Sequence, residues 1–214
     1  MNRRAFLSST AAPVALAAPY FDPADRVRGA NDRIQLGLIG CGGRGRYVGG
    51  FMKETQNTHF TALADVSLPL AERAREWSGQ SGARVFQDFR RLLELKDVDA
   101  VLVATPDHWH CLATILSVEA GKDVYTEKPF SHNIREGRAM VQAAEKSGRI
   151  VCAGTQQRSA GHFPEVAKMI QGGAIGKVSY VRVWNFVNRW PHGVGKLTPQ
   201  PPPDGLDWDM YCGP

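Results

Sequence analysis

A short apolar run that ends in spaced glycines constrains the fold of this chain more than any other feature. Residues 35–45 read QLGLIGCGGRG, with Gly40, Gly42 and Gly45 in the pattern G-x-G-x-x-G. Glycine is common, so the pattern alone could be an ordinary glycine-rich turn. It predicts a phosphate-binding loop when a strand precedes it, a helix follows it and an acidic residue lies about 20 residues further on.

Strand and helix patterns alternate along the chain from residue 34. Apolar runs predict strands at 34–40, 59–66, 100–106, 123–129 and 149–154. Helical spacing predicts helices after Gly45 and at 68–80, 88–99, 110–122 and 133–148. Strands regularly separated by helices indicate βαβ units. The expected fold is therefore α/β, a doubly wound parallel sheet with helices on both faces.

The glycine motif has the surroundings that a dinucleotide site requires. Asp65 ends the second predicted strand, twenty residues past Gly45. In such a loop Gly40 permits the turn, Gly42 lets the backbone approach a diphosphate and Gly45 allows close packing of helix on strand. The start of the helix offers N–H groups to the phosphates, and Asp65 can accept hydrogen bonds from a ribose hydroxyl. We therefore predict a Rossmann domain at 31–152.

The choice of cofactor depends on Asp65 and Arg44. A carboxylate at position 65 repels a 2′-phosphate and favours NAD. A guanidinium at position 44 could neutralise that phosphate, so NADP stays an alternative.

The composition changes after residue 152. A helix is predicted at 162–176 and an eleven-residue strand at 177–187, followed by a stretch rich in proline and glycine. A lone strand is not stable in water. Residues 153–214 are thus expected to be the incomplete start of a second α/β domain, in a chain cut from a longer protein.

The first thirty residues resemble an export signal. Arg3 and Arg4 precede a short Ala/Leu/Val stretch and the A-x-A-like site at 15–17. The sub-pattern NRRAFL is similar to a twin-arginine signal, which predicts a periplasmic or otherwise exported protein with no stable membrane span. The alternative is an amphipathic leader or a membrane anchor.

Composition excludes several classes of protein. Apolar residues make up 43% and charged residues 22%, which is typical of a globular domain. The net charge of +5 includes Arg3 and Arg4, and no basic block suggests nucleic-acid binding. The four cysteines lie far apart without metal-ligand spacing, so no metal site is predicted and all four are expected to be buried thiols.

Three further segments identify a family. They are ATPDHWH at 104–110, TEKPFSHN at 126–133 and residues 153–178, and the closing DWDMYCGP is similar to exported members. Together with the glycine loop they resemble the Gfo/Idh/MocA oxidoreductases. The resemblance implies hydride transfer between a nicotinamide and a hydroxyl-bearing carbon of a sugar or polyol. It also implies a second α/β domain with an open sheet through which the full-length protein forms a homo-oligomer.

The resemblance assigns roles to particular residues. Lys128 maps to the catalytic lysine near nicotinamide and substrate, and burial would lower its pKa; alone, it could be a surface lysine beside a turn proline. Glu127 faces the cofactor, orients Lys128 or forms a simple ion pair. The implied cofactor-binding residues are Gly40, Cys41, Gly42, Gly43, Arg44, Gly45, Asp65, Thr105, Pro106, His110, Glu127, Lys128 and Gln157.

Other polar residues near these motifs receive weaker assignments. Arg158 could bind substrate or pair with a surface acid. His108 and His110 are both expected at a helix start, and of the two His110 is the one expected to contact cofactor or substrate. Trp109 is expected to pack rather than stack on a ligand. The family's second-domain acid and histidine are expected beyond Pro214 and are not assigned to any residue. His192 and Asp207 stand in no matching motif and are not given those roles.

Two other functions remain open at this point. An NAD-dependent glycosidase of the same family would release an aglycone without net NADH. A non-catalytic nucleotide-binding fragment would keep NAD binding and behave unchanged after Lys128→Ala.

Overall fold

Six strands in the described part of the chain form one parallel sheet in the order β3-β2-β1-β4-β5-β6. The computed structural model describes residues 33–55, 57–184, 193 and 198–213; the predicted export signal at 1–30 and His192 lie outside them. The strands are β1 Ile34–Ile39, β2 Thr58–Ala64, β3 Arg84–Phe86, β4 Ala100–Val103, β5 Asp123–Glu127 and β6 Val151–Gly154. This order is that of a Rossmann sheet, which confirms the predicted fold class.

Helices connect the strands and cover the sheet. They are α1 Gly43–Glu54, α2 Leu68–Ser78, α3 Phe89–Leu93, α4 Asp107–Glu119, α5 Ile134–Ser147, α6 His162–Gln171 and α7 Trp208–Cys212, with a 3₁₀ turn at Gln156–Ser159. Asn133 caps α5 by accepting a hydrogen bond from the Glu136 amide, and Gly148 ends it in the left-handed region. No helix among the described residues is both long and apolar enough to cross a membrane.

Both faces of the sheet are buried, which explains why its central strands are almost entirely apolar. Ile39 and Val103 point into a cluster that includes Leu92 of α3. Leu38 and Leu102, their neighbours along the same strands, point into the opposite cluster. Successive strand residues face opposite sides of a sheet, so helices on both faces demand continuous apolar runs.

The chain reverses its direction across the sheet between β1 and β4. From β1 it crosses to β2 on one side, whereas β4 lies on the other side. Ligands of such sheets bind in the crevice outside the carboxyl ends of the strands at this reversal. Gly40 and Ala104, the residues that follow β1 and β4, meet there.

Several elements differ from the sequence prediction, which also lacked α7 and the 3₁₀ turn. The three-residue β3 was not predicted, and α3 ends at Leu93 instead of reaching residue 99. The strand predicted at 177–187 is wrong over 177–184, which carry no regular secondary structure; 185–187 lie outside the described residues. A strand exists only through hydrogen bonds to a neighbour, and no described strand pairs with this stretch.

Candidate functional site

At Gly40 and Gly45 of the motif the surrounding backbone leaves no room for a side chain. Gly40 has φ +93°, and a Cβ there would lie 2.6 Å from the carbonyl carbon of Ala104. A Cβ on Gly45 would lie 2.0 Å from the carbonyl oxygen of Gly40. The turn out of β1 and the packing of α1 against it thus depend on bare backbone, as the sequence predicts.

The third motif glycine, Gly42, and its neighbour Gly43 face open space. A Cβ added to Gly42 or Gly43 would meet no atom within 4 Å. Gly42 is the N-cap residue of α1, and no side chain caps that end of the helix. The first amides of a helix have no intrahelical acceptor, and they carry the positive end of the helix dipole. This end of α1 can therefore bind an anion of the size of a phosphate.

Asp65 lies next to the loop and helps to hold it. Its Oδ2 accepts a hydrogen bond from the Cys41 amide at 2.7 Å, and its Oδ1 accepts one from the Ser67 amide at 2.8 Å. Burial raises the pKa of Asp65, whereas these two bonds act to lower it. Asp65 is thus positioned at the edge of the loop, with lone pairs left on both oxygens for a ribose hydroxyl.

Cys41 is a buried residue that anchors the glycine loop to β2. Its side chain is fully buried and its Sγ lies 3.5 Å from the Ala64 carbonyl oxygen. Burial, followed by the nearby Asp65 charge, raises the pKa of this thiol far above its ordinary value. Because its amide is bound to Asp65, Cys41 joins the loop to β2 instead of offering that amide to a phosphate.

Arg44 extends from the loop towards β5. Its Nη2 lies 3.0 Å from both carboxylate oxygens of Glu127, which is only 2% exposed. The Lys128 amide donates to Glu127 Oε2 at 3.2 Å. The pair connects the glycine loop to the backbone of the predicted catalytic residue. Of the three roles expected for Glu127, the structure shows the ion pair and a contact with the Lys128 backbone.

Lys128 follows β5 directly and its side chain is exposed. Burial, which would strengthen its expected role in proton transfer, is thus not present in this structure. The position is nevertheless at the carboxyl edge of the sheet, where the site forms.

His110 differs from its prediction as a cofactor- or substrate-contacting residue. It is 1% exposed, with Nδ1 2.5 Å from the Pro129 carbonyl oxygen and Nε2 2.8 Å from that of Thr105. Both ring nitrogens therefore face backbone carbonyls. Through these two contacts the imidazole links the end of β4 to the segment after Lys128. The ring is buried and does not line the cleft.

A cleft of about 210 Å³ opens beside the glycine loop. Five predicted residues line it: Gly40, Gly42, Asp65, Thr105 and Pro106. The buried Thr105 Oγ1 has no hydrogen-bond partner, so a polar ligand group can satisfy it. These features fit a dinucleotide: open space lies in front of Gly42, the start of α1 is uncapped, and the Thr105 hydroxyl has no partner.

Other residues that line the cleft were not predicted from the sequence. They include Ser67, Gln87, Leu206, Met210 and Tyr211. The last three belong to a segment that begins after Asp204, where Asp207 accepts a hydrogen bond from the Met210 amide as the N-cap of α7. An N-cap aspartate before an apolar, aromatic stretch and a closing glycine was the available signal for this helix.

The remaining candidates lie outside the cleft or pack beside it. Gln156, Gln157 and Arg158 are exposed on the 3₁₀ turn after β6. Trp109 packs edge-on against Phe89 at 5.7 Å, as predicted, and also borders the cleft. Among the described residues no cluster of three or more His, Cys, Asp or Glu side chains is arranged for a metal.

Comparison with known proteins agrees with this geometry. Residues 34–155, more than half of the chain, match the Gfo/Idh/MocA family, an oxidoreductase family with an NAD-binding Rossmann fold. The chain belongs to this family. It is 31% identical to an inositol 2-dehydrogenase of Rubrobacter xylanophilus over 74% of the chain and 46% of that protein.

Two solved structures are similar in fold. One is the WlbA dehydrogenase of Bordetella pertussis in complex with NADH and UDP-GlcNAcA, with a TM-score of 0.62, 26% identity and coverage of 69% of this chain and 42% of that one. The other is KijD10, a 3-ketoreductase of Actinomadura kijaniata in complex with NADP, with a TM-score of 0.62, 26% identity and coverage of 68% and 46%. The chain spans less than half the length of these proteins.

Proposed function

We propose that the protein is an NAD-dependent oxidoreductase that transfers a hydride to or from a hydroxyl-bearing carbon of a sugar or polyol. The observation that carries this proposal is the open, uncapped start of α1 beside Gly42, at the chain reversal of a Rossmann sheet. The similarity to an inositol dehydrogenase supports a polyol as the substrate class.

In this proposal each residue around the loop has a separate function. The first amides of α1 hold the diphosphate, and Asp65 accepts hydrogen bonds from the adenosine ribose. A bound nicotinamide supplies the hydride acceptor or donor. Lys128 donates a hydrogen bond from Nζ to the reacting oxygen, or carries the proton that leaves it. Arg44 and Glu127 hold the backbone from which Lys128 extends.

Lys128→Met tests the catalytic role. We expect kcat for polyol oxidation to fall by about 10²–10⁴, because proton transfer is lost, while the Kd for NAD stays within about threefold. NADH formation and calorimetry measure the two quantities over a panel of inositols and hexoses. Lys146→Met, which removes an exposed lysine on α5, is the control. Equal turnover of the two variants contradicts the assignment.

We further propose that NAD is preferred to NADP. The Asp65 carboxylate borders the cleft, and the Arg44 guanidinium is bound to Glu127 at β5, with β1 and β4 between that strand and β2. Arg44 is therefore not available to neutralise a 2′-phosphate in this arrangement. We expect NAD to bind at least about tenfold more tightly than NADP. Equal or tighter binding of NADP contradicts the preference.

Export and self-association complete the proposal. The arginine pair at 3–4 and the A-x-A-like site support passage of the folded protein by the twin-arginine route. Replacing both arginines by lysine should retain a reporter fusion of residues 1–30 in the cytoplasm; unchanged export contradicts the route. The family resemblance supports a homo-oligomer, which light scattering of the complete protein tests.

A further inference from the structure

Residues 205–213, hereafter the C-terminal segment, lie against the loop between β2 and α2. The Leu68 amide donates to the Gly205 carbonyl at 3.1 Å, and the Asp207 amide donates to the Val66 carbonyl at 2.9 Å. Ser67 and Leu206 form an antiparallel bridge between these two bonds. Backbone pairing thus fixes the segment beside Asp65, across about 140 residues of chain.

The other end of the segment is held by the start of α4. The Trp109 indole nitrogen donates to the Met210 carbonyl at 2.9 Å, and His108 Nε2 lies 3.0 Å from the Tyr211 carbonyl oxygen. The indole N–H can only donate a hydrogen bond, so its bond to the Met210 carbonyl gives the Trp109 side chain a defined orientation. The segment therefore spans the gap between the ends of β2 and β4.

Glycines at both ends are required for this position. Gly205 has φ +75°, and a Cβ there would lie 3.0 Å from Pro69. Gly213 has φ +80°, and a Cβ there would lie 2.8 Å from the His108 ring. Both the backbone conformation and the close approach favour glycine, so the sequence is suited to this docked arrangement.

The docked segment forms one side of the cleft. Leu206, Met210 and Tyr211 line it on the side of the segment, while Gly42 and Asp65 line it on the side of the sheet. The cleft lies towards β2 and β3, whereas Glu127 and Lys128 follow β5 on the other side of the reversal. A dinucleotide held at Gly42 with its nicotinamide towards Lys128 would extend its other half into this cleft.

We propose that Leu206, Met210 and Tyr211 of the C-terminal segment form the outer wall of the site for the adenosine half of the dinucleotide. The proposal rests on the proposed function and extends it to residues outside the glycine motif. The chemistry is complementary, because an adenine ring presents flat apolar faces to apolar and aromatic side chains. Asp65 at the same cleft provides an acceptor for the ribose hydroxyls.

Tyr211 and Trp208 provide a matched pair of variants. Their rings stack on each other at 5.4 Å with 17° between the planes, and both are partly exposed. Only Tyr211 lines the cleft. Tyr211→Ala and Trp208→Ala therefore remove the same stacking contact but differ in their effect on the cleft.

Calorimetry with NAD, AMP and nicotinamide mononucleotide on the full 214-residue chain tests the proposal. We expect Tyr211→Ala to weaken NAD and AMP about tenfold through lost apolar contact, and to leave nicotinamide mononucleotide unchanged. Trp208→Ala should keep all three within about twofold, and thermal unfolding of both variants should be similar.

The outcomes separate the wall from the rest of the site. The proposed wall is overturned if Tyr211→Ala binds NAD and AMP as tightly as Trp208→Ala does, or if it weakens nicotinamide mononucleotide alone. Either result leaves the proposed role of the glycine loop unaffected. A wild-type chain that binds none of the three ligands overturns the proposed function and the wall with it.

Discussion

The glycines at 40, 42 and 45 perform different tasks although they belong to one motif. Gly40 and Gly45 have backbone atoms where a side chain would begin, whereas Gly42 faces an open volume. The first two are therefore required by the fold, and the third is required only by a ligand. Substitutions at these positions separate stability from binding.

Gly45→Ala is expected to lower the free energy of unfolding by about 3 kcal/mol, because its Cβ would overlap the Gly40 carbonyl oxygen. Gly50→Ala in the same helix meets no neighbouring atom and should raise that free energy by about 0.5–1 kcal/mol. Urea denaturation measures both changes. Equal stability of the two variants contradicts the close approach.

The cysteines differ in burial and should differ in reactivity. Burial raises the pKa of Cys41 and, less completely, of Cys111, so at pH 8 both thiols are held in the unreactive protonated form. Cys152 and Cys212 are exposed, which corrects the expectation that all four are buried.

Native alkylation followed by mass spectrometry should therefore modify Cys152 and Cys212 at least about tenfold faster than Cys41. Denaturant should equalise the four rates. Rapid modification of Cys41 in the folded protein contradicts its place beneath the loop.

At the scale of elements, the Arg44–Glu127 pair joins α1 to β5 across the reversal of the sheet. The Glu127 side chain is only 3% exposed, whereas 36% of the Arg44 side chain is exposed to solvent. Removal of the arginine leaves a buried carboxylate without its counter-charge. The pair therefore couples α1, whose start is proposed to hold phosphate, to β5, which ends at Glu127 immediately before Lys128.

A double-mutant cycle measures this coupling. Arg44→Ala should lower the free energy of unfolding by about 2 kcal/mol, and Glu127→Gln in the same chain should recover about 1 kcal/mol of that loss. The exposed Arg91–Glu94 pair, 3.1 Å apart, is the control and should show coupling below about 0.5 kcal/mol. Additive effects of the Arg44 and Glu127 changes contradict the proposed connection.

Local sequence patterns predicted most of the elements and only part of the site. The strands β1, β2 and β4 are apolar on both faces, and the glycine loop and Asp65 have fixed spacing, so all could be predicted. The half-buried β3 has too short a pattern, and its pairing with β2 defines it. Residues 177–184 have a strand-like composition but no described partner strand.

The contacts that complete the site join residues far apart in the sequence. Arg44 and Glu127 are 83 positions apart, and Trp109 and Met210 are 101 apart. Periodicity and spacing report on neighbours along one element and do not specify which distant side chains meet. The role of His110 was missed for the same reason, since its partners follow two different strands.

At the scale of the whole molecule, the sheet brings one end of α1, Asp65 and the C-terminal segment around a single cleft at the chain reversal. The central claim is that main-chain amides at this place bind the diphosphate of a nicotinamide dinucleotide. Gly42 tests it directly, because it has an ordinary extended backbone with φ −65° and ψ −171°. A side chain fits there without disturbing the fold.

The decisive measurement is calorimetric titration of NAD into Gly42→Val, with Gly82→Val as the control at an exposed glycine that also faces open space. We predict that both variants unfold within a few degrees of the wild type. Gly42→Val should lose at least about tenfold in NAD affinity because its side chain fills the place of the phosphates, while Gly82→Val binds normally. Wild-type NAD affinity in Gly42→Val would contradict the account.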